Sequence, residues 1–235
     1  MRAIVVADGD VPPRRSLDPA LLAGDEDGPP LVIAADGGAR KAEALGLVPD
    51  LVVGDADSLS AAEVARWRAR GVAVRVVPAV KDESDTELAL REALARGARG
   101  IVVLGAFGGE RFEHALANVA LLALPELGGA SVVLADARTT VRMVGRSDGP
   151  GSAEIEGMPG DFVSLLPVDD PVEGIVTEGL RFPLRDERLC PGPSRGLSNE
   201  LAQGRAHVAT GRGRLLLVQT RRPDPRDSQG GIDPR

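Results

Sequence analysis

Two acidic stretches carry the residues best suited to chemistry. In Leu51-Val52-Val53-Gly54-Asp55-Ala56-Asp57-Ser58 an apolar run ends in two aspartates one residue apart, and Lys81-Asp82-Glu83-Ser84-Asp85-Thr86-Glu87 repeats the acidic character. Crowded carboxylates repel one another and raise their own pKa values. A hard divalent cation turns them into oxygen ligands of the kind magnesium uses beside phosphate. An isolated Asp-x-Asp-Ser also serves as a turn with a helix N-cap, and Asp82 and Asp85 suit a helix start on electrostatic grounds alone. A metal and phosphate site is favoured because Asp36, Asp55 and Asp57 all fall where strands give way to loops.

Two glycine-containing turns add to this set. Asp36-Gly37-Gly38 and Gly105-Ala106-Phe107-Gly108-Gly109 each follow an apolar run and precede a helical stretch, so a phosphate or a base could approach their backbones closely. Neither has the GxGxxG dinucleotide spacing, and the chain has no GxxxxGK[ST] loop, so any ATP is held by another device. Arg111 could neutralise phosphate oxygens with its planar fork or be a solvated surface residue. His114 and His207 read as structural by default, and Cys190 has no base predicted beside it.

These positions need a scaffold. Residues 2–7, 31–35, 51–53, 72–77, 101–104 and 131–135 read as strands. Helical stretches intervene, with a short helix expected within residues 16–23. Ser60-Ala61-Ala62-Glu63 and Ser84-Asp85-Thr86-Glu87 both have capping-box spacing, and another helix is expected over residues 113–124. This alternation predicts an α/β domain over residues 1–143, with a mostly parallel sheet in three layers whose ligands bind beyond the carboxyl ends of the strands. After the Gly- and Ser-rich residues 145–153, the short apolar runs at 162–166, 174–177, 207–209 and 215–218 predict a smaller all-β sandwich domain over residues 154–222. The polar, proline-containing residues 223–235 are expected to be a disordered tail.

The bulk numbers narrow the function classes. A chain of 235 residues that is 43% apolar can bury a proper core, and its net charge of −7 argues against nucleic acid as a partner. No apolar run approaches the roughly eighteen residues of a membrane span, and residues 1–6 lead into Asp8 without a signal-peptide core. No membrane association and a cytoplasmic location are expected. One cysteine excludes an internal disulfide and a zinc cluster of cysteines.

Taken in order, Ala35-Asp36-Gly37-Gly38-Ala39, residues 49–58, residues 81–87 and Gly108-Gly109-Glu110-Arg111-Phe112-Glu113-His114-Ala115-Leu116-Ala117-Asn118 resemble the signatures of the thiamine pyrophosphokinase family. Gly174-Ile175-Val176-Thr177-Glu178-Gly179-Leu180 and Gly196-Leu197-Ser198-Asn199-Glu200 resemble its second domain. The resemblance implies an enzyme that moves a diphosphoryl group from ATP to thiamine, working as a homodimer with thiamine at the dimer interface. It also implies that Asp55, Asp57 and Asp85 are catalytic and hold Mg2+. Asp36, Gly37, Lys81, Asp82, Gly108, Gly109, Arg111, Glu113 and His114 would line the ATP side, and Ser198 and Asn199 the thiamine side. Two departures stand out: Glu113 replaces the family's usual aspartate, and only Phe162 and Phe182 in the β domain could stack on a thiamine ring.

Asp85 is the candidate to complete the metal shell or accept the hydroxyl proton, and its place at a helix start is expected to depress its pKa. The rival readings are a diphosphokinase for another alcohol such as a hydroxymethylpterin, a manganese-dependent glycosyltransferase using Asp55 and Asp57, and a non-catalytic sensor of nucleotide or thiamine diphosphate.

Overall fold

The computed structural model describes residues 1–55 and 60–223. The expectations for Asp57 and for residues 224–235 therefore lie outside the described residues. The chain divides into two compact units, Met1–Ala137 and Arg138 onward.

The first unit runs β1 (Arg2–Val6), α1 (Pro19–Leu22), β2 (Leu31–Ala35), α2 (Gly38–Ala44), β3 (Leu51–Gly54), α3 (Ala61–Ala69), β4 (Ala73–Val76), α4 (Asp85–Ala95), β5 (Gly100–Leu104), α5 (Phe112–Leu121) and β6 (Ser131–Ala135). Its strands are all parallel in the order β6-β5-β1-β2-β3-β4. Parallel strands need crossovers, and crossover helices cover both faces. The unbroken burial of β1, β2, β3 and β5 after their first residues is the mark of that arrangement. The chain lays down β2 to β4 on one side of β1 and then returns to place β5 on the other. The switch point, where such sheets bind ligands, therefore lies between β1 and β5.

Local chemistry fixes the elements that carry the site. The Ser60 hydroxyl accepts the Glu63 N–H while the Glu63 carboxylate accepts the Ser60 N–H, a complete capping box at the start of α3. α3 is pinned by Trp67, which is fully buried among Ala34, Ala39, Val52 and Val72. α4 differs from expectation: Ser84 accepts the Glu87 N–H at 3.2 Å, but the Glu87 carboxylate is taken by Arg91 at 2.9 and 3.0 Å, so only half of that box forms. Helix α5 starts at Phe112 and ends at Leu121, with a 3-10 turn at Pro125–Gly129 following.

The second unit runs β7 (Thr139–Arg146), β8 (Gly151–Glu156), β9 (Phe162–Pro167), β10 (Val172–Glu178), β11 (Arg185–Leu189), β12 (Asn199–Glu200), β13 (Arg205–Thr210) and β14 (Gly213–Thr220). Antiparallel pairing builds β12-β9-β14-β7 and β11-β10-β13-β8. Burial alternates along β13 and β14, and along β10 from Ile175 after a break at Glu173 and Gly174, as it must when one face of each sheet meets the core and the other meets water. Val144, Val163, Leu165, Leu215 and Leu217 from one sheet meet Ile155, Val172, Ile175, Ala206 and Val208 from the other in a single cluster. This is the expected sandwich. The glycine- and serine-rich residues 145–153 contain the end of β7, the turn and the start of β8. Among the described residues no helix is long and apolar enough to cross a membrane.

Candidate active site

The aspartates lie at the carboxyl end of the parallel sheet. Asp36 follows β2, Asp55 follows β3, and Asp85 is the first residue of α4. One carboxylate oxygen from each of the three lies within 4.8 Å of the other two. Two strand ends and one helix start, separated in sequence, thus supply oxygens to one small volume, the donor set a hard divalent cation takes.

Backbone details make this approach possible. Asp36 sits in the left-handed region at φ 46°, a conformation aspartate tolerates better than most residues. Its N–H donates to the Val53 carbonyl at 2.9 Å, and its carbonyl accepts the Ala39 N–H at 3.1 Å, which fixes the turn from β2 into α2. A Cβ on Gly54 would lie 2.7 Å from the Asp36 Cβ, so glycine is what lets the end of β3 pass so close. One residue before β3, the Asp50 carboxylate accepts the Val32 N–H at 2.8 Å and the Asp50 N–H donates to the Val32 carbonyl at 2.8 Å, locking the register of β2 and β3 below the site.

A lysine neutralises part of the cluster. Lys81 Nζ lies 3.2 Å from Asp55 Oδ2 and 3.1 Å from Asp85 Oδ1, with side-chain exposures of 13%, 17% and 28% for the three residues. Burial works against the Lys81 ammonium, but hydrogen bonds to Asp85 and Asp55 outweigh it and raise its pKa. Burial pushes the Asp85 carboxyl above its ordinary value; Lys81 opposes this, and the charges of Asp55 and Asp36 add to it. The expected depression of Asp85 is therefore corrected. Desolvation and like charges outweigh the favourable helix start.

Beside the cluster, the loops after β1 and β5 are zipped together. The Gly9 N–H donates to the Gly105 carbonyl at 2.9 Å and the Asp10 N–H to the Phe107 carbonyl at 2.8 Å. Gly105 is left-handed at φ 68°, and a Cβ there would lie 2.3 Å from the Ala7 carbonyl oxygen. From α5 the buried Asn118 donates its side-chain N–H to the Ala106 carbonyl at 2.9 Å and so holds this loop. A Cβ on Gly37 would lie 2.5 Å from Asp8 Oδ2, which places a further carboxylate over that turn. Asp8 and Asn118 are not among the sequence-predicted site residues; the Asp8-Gly9-Asp10 turn after the first strand is the signal that could have raised the first, and the place of Asn118 at the end of the Gly108–Asn118 stretch is the signal for the second.

The remaining candidates are placed as follows. Gly37 is buried, whereas Asp82, Gly108, Gly109, Arg111, Glu113 and His114 are exposed. Arg111 Nε donates to Glu113 Oε1 at 2.7 Å, and this pairing lowers the Glu113 pKa. In the second unit Ser198 is exposed and left-handed at φ 59°, with its N–H donating to Ser164 Oγ at 3.0 Å. The Asn199 amide is committed to main chain, its Oδ1 accepting the Phe182 N–H at 3.0 Å and its Nδ2 donating to the Phe182 carbonyl at 2.7 Å.

A parallel α/β unit with acids clustered at the carboxyl end of its sheet, followed by a β sandwich, suits a protein that handles phosphate through a divalent cation. The family model for the catalytic domain of thiamin pyrophosphokinase matches residues 26–134, and the model for that enzyme's vitamin B1 binding domain matches residues 153–215. The chain belongs to the thiamine pyrophosphokinase family, whose members are ATP-dependent diphosphotransferases. It is 28% identical to the thiamine pyrophosphokinase of Bacillus subtilis over 200 residues, 85% of this chain and 91% of that one. Among solved structures it resembles the Bacillus subtilis enzyme (26% identity, TM-score 0.79, covering 95% of this chain and 100% of that one). It also resembles the thiamin pyrophosphokinase of Geobacillus thermodenitrificans (27% identity, TM-score 0.76, covering 96% and 99%).

Proposed function

We propose that this protein transfers the terminal diphosphoryl group of ATP to the hydroxyethyl oxygen of thiamine, giving AMP and thiamine diphosphate. One observation carries the reading: within a chain of this family, the carboxylates of Asp36, Asp55 and Asp85 converge at the ligand-binding edge of the sheet. Mg2+ is the proposed cation, held by these three residues with Asp57 as a further ligand. When bound, it supplies Lewis-acid stabilisation of charge on the phosphate oxygens.

The chain's own residues then have three tasks. The Asp36-Gly37-Gly38 turn and the loop from Gly105 to Gly109 offer backbone N–H groups to the triphosphate, with Lys81, Asp82, Arg111, Glu113 and His114 around it. Asp85, the first residue of α4, completes the metal shell or, where the ion leaves it free, accepts the thiamine hydroxyl proton. Ser198 and Asn199 serve the thiamine side, and Asn199 does so by fixing Phe182, whose ring is 52% exposed against 36% for Phe162. Each ring has a guanidinium over it, Arg222 at 4.6 Å from Phe162 and Arg181 at 5.4 Å from Phe182. In-line placement of both substrates supplies most of the acceleration in such transfers.

A homodimer is proposed as the working form, supported by Phe112 and Leu116, which stand 73% and 56% exposed four residues apart on α5. The cytoplasm is the proposed compartment, a reducing environment in keeping with the single cysteine, Cys190.

The test is an acceptor competition in magnesium and ATP, following AMP release with thiamine and a hydroxymethylpterin offered together. Thiamine-dependent AMP is expected. Release driven by the pterin alone would move the protein to the other diphosphokinase class.

A further inference from the structure

Lys81 stands in an unusual place for a residue whose expected partner is a phosphate. Its ammonium reaches into the acidic cluster and lies 3.2 Å from Asp55 Oδ2 and 3.1 Å from Asp85 Oδ1, on two of the three carboxylates that converge there. The lysine is not on a distant element: it precedes α4 by four residues and pairs with Asp85 across that spacing. Its side chain is 13% exposed, so the pairing is sheltered from water and weakly screened.

A divalent ion that uses Asp55 and Asp85 binds the same two carboxylates that the ammonium now contacts. Magnesium binds at about 2.0–2.1 Å and tolerates little departure from octahedral geometry. An ammonium held against the same two carboxylates would crowd it and repel it. The two cations are therefore alternatives at this spot.

Resting on the diphosphokinase reading above, we infer that Lys81 is a resident counter-ion that occupies the cation position in the ligand-free enzyme and is displaced when the metal loads. Its four-carbon stem lets the released ammonium swing toward the incoming phosphates, which give it a new anionic partner. Metal and nucleotide binding are thereby coupled: without nucleotide the metal competes against Lys81, and with nucleotide the competitor has somewhere else to go. The coupling is reciprocal, so metal and ATP each strengthen the other's binding by the same factor. The same exchange keeps the carboxylates from facing one another unneutralised in the empty enzyme.

The test measures Mn2+ binding to the full chain by electron paramagnetic resonance, with and without a non-hydrolysable ATP analogue, for wild type, Lys81→Met and Lys81→Arg. Lys81→Met keeps the stem and removes the charge. It is expected to bind Mn2+ about 5-fold or more tightly than wild type in the absence of nucleotide, within the usual span of coupling between sites. Its gain in Mn2+ affinity on adding the analogue is expected to shrink by the same factor. Lys81→Arg, which keeps the charge, is expected to retain weak nucleotide-free binding. Thermal melts accompany the binding: metal-free Lys81→Met is expected to melt below wild type and to recover on adding Mn2+. Unchanged or weaker nucleotide-free Mn2+ binding by Lys81→Met would overturn the inference while leaving the metal site standing. If no folded form binds Mn2+ even with the analogue, the metal site and the inference fall together.

Discussion

Replacing Gly54 with alanine adds one methyl group where the end of β3 passes Asp36. The new Cβ would lie 2.7 Å from the Asp36 Cβ, 3.1 Å from its Cα and 3.3 Å from its Cγ. Carbon atoms prefer to sit about 3.5–4.0 Å apart, so the two segments must separate by roughly 1 Å. Gly54 is not in the left-handed region, and alanine there is opposed by this contact alone rather than by its own backbone. Asp36 cannot absorb the shift cheaply, because it is held left-handed by hydrogen bonds to Val53 and Ala39. Overpacking of this kind costs about 1–3 kcal/mol, which lowers the melting temperature of a chain this size by roughly 2–4 °C for each kcal/mol. The larger effect falls on turnover. A displacement near 1 Å in a positioned group costs on the order of 100-fold, because the Asp36 carboxylate leaves the shared cluster. Turnover would be followed as AMP release at saturating ATP and thiamine, beside thermal melts of the same preparations. A Gly54→Ala protein that turns over at the wild-type rate would refute the claim that this glycine sets the position of Asp36.

Other perturbations reach the elements around the cluster. Asn118→Ala leaves the buried Ala106 carbonyl without its donor, and a loss of about 1–3 kcal/mol in denaturant stability is expected, together with weaker ATP binding by calorimetry. Glu63 is held at a pKa of about 2 by the Ser60 backbone N–H, with Arg40 and the Ser60 hydroxyl assisting. Because its folded pKa lies below the unfolded one, its contribution to stability is present above about pH 4.5 and is lost as the pH falls toward 2. Acid titration of wild type against Glu63→Gln should therefore show a stability gap at neutral pH that closes in that window. Trp67→Ala empties a fully buried site behind β2 and β3 and is expected to cost about 3–5 kcal/mol by chemical denaturation.

The parallel unit was readable because its signals are local and repeated. The apolar runs of β1, β2, β3 and β5, punctuated by Gly37, Gly46, Gly71 and Gly97, identify strands and helix ends without reference to distant residues. The sandwich was harder to read. β11 has the sequence Arg-Asp-Glu-Arg-Leu and its register on β10 shifts twice, so pairing rather than apolar pattern makes it a strand. β7 and β8 meet through a glycine- and serine-rich turn whose composition reads as a linker. At the site, Asp36, Asp55 and Asp85 could be nominated from their strand-end and helix-start positions, but their closeness depends on Gly54 yielding space and on the left-handed turn at Asp36. The raised pKa of Asp85 depends on burial, which a helix-start argument does not contain. The pairing of Glu113 with Arg111 and the commitment of Asn199 to the Phe182 main chain are likewise matters of side-chain geometry.

The most direct measurement follows the phosphorus atoms. ATP labelled at its β and γ positions would be incubated with magnesium, thiamine and the protein, and the products separated for wild type, Asp55→Asn and Asp85→Asn. Both labels should appear in thiamine diphosphate with one unlabelled AMP for each. The two variants should remain folded while product formation falls by roughly 100-fold or more, the scale on which loss of a preorganised charge acts. Labelled ADP with thiamine monophosphate, or full activity in the variants, would contradict diphosphoryl transfer at this cluster of carboxylates.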